Sequence, residues 1–83
     1  MKISYSKQAL KYISKLDRQS TQRIKNALEQ LSKEPPQGDI KPLKGLKNTY
    51  RARIGDYRIV FEIDSDRNEL ILARIGPRGD VYK

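Results

Sequence analysis

Apolar residues recur along the chain first with a helical period and then with a strand period. In Met1 to Tyr5, Ile3 and Tyr5 share one side of a two-residue alternation, and Ser6 stands where a helix cap belongs. From Lys7 to Leu16 the apolar residues Ala9, Leu10, Ile13 and Leu16 follow at helical spacing. Asp17 marks a break and can cap a second segment, in which Ile24, Ala27, Leu28 and Leu31 complete the i, i+3, i+4, i+7 pattern. Both stripes are predicted to face the core, as the inner sides of two short helices joined in a hairpin. Pro35-Pro36-Gln37-Gly38-Asp39 ends the second helix and opens a connection to about Asn48, punctuated by Pro42 and Gly45.

Beyond that connection the period changes to two. Tyr50, Ala52 and Ile54 share one face while Arg51 and Arg53 share the other; Tyr57, Ile59, Phe61 and Ile63 then alternate with Arg58, Val60, Glu62 and Asp64. Gly55-Asp56 is a two-residue hairpin connection, and Ser65-Asp66-Arg67-Asn68 leads into a last strand, Glu69 to Ile75. The prediction is an α+β fold of order β-α-α-β-β-β. It is one antiparallel sheet with an α-helical hairpin on one face and the other face open to solvent.

A length of 83 residues suits a single domain, 1–83, with a thin core. The chain has no Cys and no His, so a disulfide framework, thiolate or His-ligated metal sites, and serine or cysteine triads as usually built are all excluded. Asp64-Ser65-Asp66-Arg67-Asn68 has the opening spacing of a calcium loop, but Glu69 stands where Gly is required and Ile75 where a bidentate Glu is required, so a hairpin turn explains it better. Neither a metal nor a cofactor is expected. The longest apolar run is four residues, Leu70 to Ala73, and Met1-Lys2 leads into an amphipathic stretch, so a soluble cytoplasmic protein with no membrane segment is expected.

Charge adds the functional direction. Lys plus Arg number 18 against 10 Asp plus Glu, a net +8, which favours a polyanion such as nucleic acid. Six of the eight arginines fall between Arg51 and Arg78. Arg51 and Arg53 project from one strand face about 6.5 to 7 Å apart, and Arg58 falls roughly opposite Arg53 across the hairpin. Such a cluster either joins an anion or is a solvated basic face. Lys41, Lys44 and Lys47 recur at three-residue intervals in the connection, as candidate phosphate contacts or as solubilising loop charges. The tail adds Arg78, and Tyr82, a phenol that can stack on a base or carry a proton.

The segments Leu43-Lys44-Gly45-Leu46, Tyr50 to Ile63 and Ile75 to Tyr82 together resemble the RelE/ParE superfamily of toxin–antitoxin toxins, and specifically the RelE-type messenger-RNA interferases. The likeness covers roughly the last 40 residues at motif level and the rest as element order only. It implies a RelE-like fold, ribosome-dependent cleavage of mRNA in the A site, and inhibition by a cognate antitoxin held in a hetero-oligomer. Matched position by position, Arg51 and Arg53 take the places of the two basic residues that handle the scissile phosphate and backbone. Arg58 matches the arginine assigned to the transition state, Arg78 the one beside the leaving group, and Tyr82 the tyrosine that activates the 2′-hydroxyl or stacks the substrate. Arg51 and Arg53 replace what are often lysines, and Pro77 stands where many relatives have His. Some relatives continue into a C-terminal helix, whereas here Lys83 follows Tyr82 as the last residue, so regulation by displacing such a helix is not expected.

The chemistry so implied is in-line attack of a ribose 2′-OH on the adjacent phosphorus. The arginines supply charge, and proton transfer falls to Tyr82 with its pKa lowered by the guanidinium groups, or to Glu62. The alternatives are a ParE-like toxin that inhibits gyrase without cutting RNA, and a non-catalytic RNA- or ribosome-binding module using the same face.

Overall fold

The computed structural model describes residues 1–33 and 40–77. Its elements are β1 (Lys2–Tyr5), α1 (Lys7–Ser14), α2 (Arg18–Leu31), β2 (Ile40–Pro42), β3 (Thr49–Ile54), β4 (Tyr57–Asp64) and β5 (Glu69–Pro77). Both predicted caps form: the Ser6 hydroxyl accepts from the Ala9 N–H at 3.1 Å, and the Asp17 carboxylate accepts from the Ser20 N–H at 3.3 Å. The strands form one five-stranded sheet in the order β1-β5-β4-β3-β2.

The α+β prediction and the helical hairpin on one face hold, with three refinements. First, β1 runs parallel to β5, pairing Lys2 with Glu69 through Tyr5 with Leu72, so the sheet is mixed rather than wholly antiparallel. The crossover through α1 and α2 returns the chain to the far edge, and β1 is left beside the last strand. Second, the connection before Asn48 contains β2, whose three residues pair antiparallel with β3. Its Pro42 is tolerated because β2 is an edge strand. Third, Leu10 does not join the core: it is 55% exposed, and α1 ends at Ser14, so only Ala9 of that helix is fully buried.

The core lies between the helices and one sheet face. Ala9, Ile24, Leu28 and Leu31 pack against Ala52, Ile54, Ile59, Phe61, Leu70, Leu72 and Ile75. Phe61 is fully buried and stacks on Tyr50 at 5.5 Å between ring centroids, while Tyr12 meets Tyr57 edge-on at 6.2 Å. Gly55 adopts φ +57° in the β3–β4 turn, with the Arg23 guanidinium 3.3 Å from where a Cβ would stand. Ser65 to Asn68 forms the β4–β5 turn, closed by the Arg67 N–H donating to the Asp64 carboxylate.

The sheet is irregular at one point. Val60 pairs with Arg74 and Phe61 with Leu72, leaving Ala73 as an extra residue in β5, a β-bulge. The start of α1 holds it. The Ser6 N–H donates to the Leu72 carbonyl at 2.9 Å and the Ser6 hydroxyl to the Ala73 carbonyl at 2.7 Å. The Gln8 amide bonds both backbone groups of Ile75, donating to its carbonyl at 2.8 Å and accepting from its N–H at 3.1 Å. Past Tyr5 no strand continues beside β5, so these two side chains take over the pairing that a longer β1 would have made.

Candidate nucleic-acid interface

The face of the sheet away from the helices carries the basic residues, and strand register sets their neighbours. Arg53 pairs directly with Arg58 across the β3–β4 hairpin. Arg51 pairs with Val60 on one side and with Lys41 on the other, because β2 docks against β3. Residues paired across strands project to the same side with Cβ atoms about 5 Å apart. Lys41, Arg51, Arg53 and Arg58 therefore form one compact group of cations. Arg51 and Arg58 are half-buried, and Arg53 and Lys41 are exposed. Arg53 and Arg58 thus stand directly opposite each other, a close pair of like charges that one anion can join.

Val60 stands inside this group, 8% exposed and apart from the main core cluster. It makes a small apolar floor beneath the charged side chains. Opposite Arg58 on β5 is Gly76, which has no side chain to occupy the space beside that guanidinium. Glu62 pairs with Thr49 and Ile71 on the same face, but it lies four residues along β4 from Arg58, about 13 Å. Glu69, 8% exposed, is engaged by the Ser4 hydroxyl at the far end of β5.

Of the residues singled out in the sequence, the structure brings together Lys41, Arg51, Arg53 and Arg58. Lys44 and Lys47 lie in the β2–β3 connection beyond the sheet edge, both exposed. Arg78 and Tyr82 lie outside the described residues. One cation was missed. Arg74 pairs with Val60 and so joins the row Lys41, Arg51, Val60, Arg74 across four strands. Simple alternation from Leu70 and Leu72 places position 74 on the core side, and the bulge at Ala73 turns it over. The available signal was the change of phase from Leu70 and Leu72 to Ile75, masked because Ile71 and Ala73 are apolar as well.

A mixed sheet backed by a helical hairpin and bearing an arginine cluster on its free face defines a class of small basic α+β proteins, and three comparisons place the chain within it. The family described as the ParE toxin of type II toxin–antitoxin systems matches residues 3–82. A putative toxin RelE1 and a toxin RelE3, both of Methanocaldococcus jannaschii, are each 31% identical to it, the first over 98% of this chain and 93% of its own, the second over 99% and 96%. A crystal structure of an archaeal RelE–RelB complex from Pyrococcus horikoshii contains a chain that superposes with a TM-score of 0.79 at 26% identity, covering 96% of this chain and 97% of that one. The chain belongs to the RelE/ParE superfamily and is a type II toxin of the RelE family.

Proposed function

We propose that this toxin is a metal-independent endoribonuclease that cleaves messenger RNA in the ribosomal A site, and that a cognate antitoxin holds it inactive in a hetero-oligomer. The observation that carries the reading is the pairing of Arg53 with Arg58, with Arg51 and Lys41 beside them, on the face of the sheet away from the helices. Guanidinium groups grip phosphate bidentately and keep their charge at any physiological pH, which suits a site that must hold and polarise one phosphodiester.

In the reaction, the ribose 2′-oxygen attacks phosphorus as its proton departs. The P–O5′ bond breaks, and the leaving oxygen takes up a proton, giving a 2′,3′-cyclic phosphate and a 5′-OH. Arg51 and Arg53 hold the phosphate and backbone, and Arg58 faces the negative charge that builds on the non-bridging oxygens. The resemblance assigns Arg78 to the leaving group and Tyr82 to the proton of the 2′-OH. Glu62, some 13 Å along its strand from Arg58, is the weaker base. With no histidine to carry protons, alignment of the nucleotide on the ribosome supplies much of the rate. The antitoxin follows from solved relatives that are RelB–RelE complexes.

Arg58→Ala is expected to lower cleavage by about 10²- to 10³-fold with the fold retained, measured by mapping RNA ends on a message in a purified translation reaction. Cuts at the wild-type rate would overturn the assignment. The ParE description of the matching family favours one second reading, inhibition of gyrase. Loss of DNA supercoiling activity in a purified gyrase reaction, with no cuts in the message, would establish it.

A further inference from the structure

Arg74 has no part in the function proposed above, yet the fold works to present it. A bulge normally re-aims a side chain, and this one moves Arg74 from the core side of β5 to the free face. Ser6 and Gln8 spend three side-chain hydrogen bonds on the backbone of Ala73 and Ile75, the residues flanking Arg74. The side chain so presented is exposed and forms no ion pair with an acidic group among the described residues. It stands two strands from Arg51, about 10 Å, with the apolar Val60 between them. A cation at that separation does not share a phosphate comfortably with Arg51 but is well placed for a neighbouring one.

We infer that Arg74 is a second phosphate-holding position, so that the RNA backbone crosses the sheet from strand to strand, along the row of Lys41, Arg51, Val60 and Arg74, rather than following one strand. Positively charged grooves that track the backbone of a single strand work in this manner. Arg74 is a positioning residue: it fixes where the chain lies relative to Arg53 and Arg58 and touches no reacting atom. The inference rests on the proposed action on RNA.

The test is binding of the intact protein to a single-stranded RNA of about 12 nucleotides carrying 2′-O-methyl groups throughout, followed by fluorescence anisotropy over a range of NaCl concentrations. Each phosphate neutralised on a single strand contributes about 0.7 to the slope of log K against log salt. Arg74→Ala should therefore reduce the slope by about 0.7 and the affinity at 0.1 M salt by about 5-fold. The loss should be equal for uridine-rich and adenosine-rich probes, and Arg74→Lys should restore most of it. In the translation reaction Arg74→Ala should raise KM and leave kcat close to wild type. Circular dichroism and thermal midpoint should match the wild type, because the side chain is solvated.

An unchanged slope in Arg74→Ala, with wild type binding normally, overturns this inference and leaves the proposed activity standing. A loss confined to one base type that lysine does not rescue also overturns it, in favour of base stacking. The predicted slope change in a protein that cuts no message supports Arg74 as a phosphate contact and removes the nuclease. A wild type that does not bind the probe also overturns this inference, while cleavage on the ribosome is judged by the translation reaction alone.

Discussion

Arg53 and Arg58 show how a single pairing position decides what a residue can do. As isolated surface arginines they would be ordinary. Placed opposite each other, they are two like charges close enough for one bound anion to join. Inorganic phosphate or sulfate is therefore expected to raise the thermal midpoint of the wild type more than that of Arg58→Ala, as measured by differential scanning fluorimetry at fixed ionic strength. Two titrating groups give pH signatures at the same scale. The hydrogen bond from Ser20 holds the Asp17 carboxyl below its ordinary pKa. A depressed folded-state pKa means that the cap stabilises above the unfolded-state value and stops doing so as pH falls through the folded one. The midpoint of Asp17→Asn should thus lie below wild type at neutral pH and converge with it in acid; a constant gap would show that the charge is irrelevant. Burial, with the Glu29 carboxylate adding to it, pushes the Tyr5 phenol above its usual value. Its contribution is present at neutral pH and lost as pH rises past about 10.

At the scale of elements, the junction of β1, α1 and β5 carries more of the design than its length indicates. Ser6 caps α1 and bonds Ala73, while Gln8 stands in for a missing strand at Ile75. Gln8→Ala leaves both backbone groups of Ile75 without those bonds and is expected to destabilise by about 1 to 3 kcal/mol in urea melts. Because it loosens the bulge, it should also weaken RNA binding in the same direction as Arg74→Ala. Stability lost with affinity unchanged would show that the bulge does not depend on Gln8. The helical hairpin answers to packing alone: Leu28 is fully buried, and Leu28→Ala should cost about 2 to 5 kcal/mol. That is a large share of what a domain this small possesses, so chemical denaturation should show a partly unfolded protein at 37 °C.

For the whole molecule the governing quantity is a net charge of +8, set against a single exposed ion pair, Arg67 with Asp64, among the described residues. Self-repulsion opposes compactness while the same field draws in a polyanion. Moderate salt should accordingly raise the thermal midpoint and lower RNA affinity. Opposite slopes for the two measurements on one sample check the argument, and a midpoint that falls with salt would contradict it. No helix among the described residues is long and apolar enough to cross a membrane. The helical side carries a groove of about 420 Å³ bounded by Tyr5, Leu10, Ile13 and Leu16, which accounts for the exposure of Leu10: α1 packs through Ala9 and leaves its neighbour at the rim.

Local periodicity was enough for the helices, their caps, the β3–β4 hairpin and the facing of Arg51, Arg53 and Arg58, because each depends on neighbours a few residues away and on which side of an element is apolar. The last two elements of the site did not yield to it. Lys41 joins Arg51 only because β2, three residues with a proline, finds an edge to pair with, and β1 pairs parallel with β5 from the other end of the chain. Arg74 reaches the free face through a bulge whose hydrogen bonds come from residues 67 positions away in the chain. Pairing at that distance is settled by the packed sheet as a whole, where unpaired backbone groups must find partners, and not by any segment's own pattern. The sequence by itself determined the class of fold and a concentration of arginine; the tertiary structure decided which of those arginines stand together.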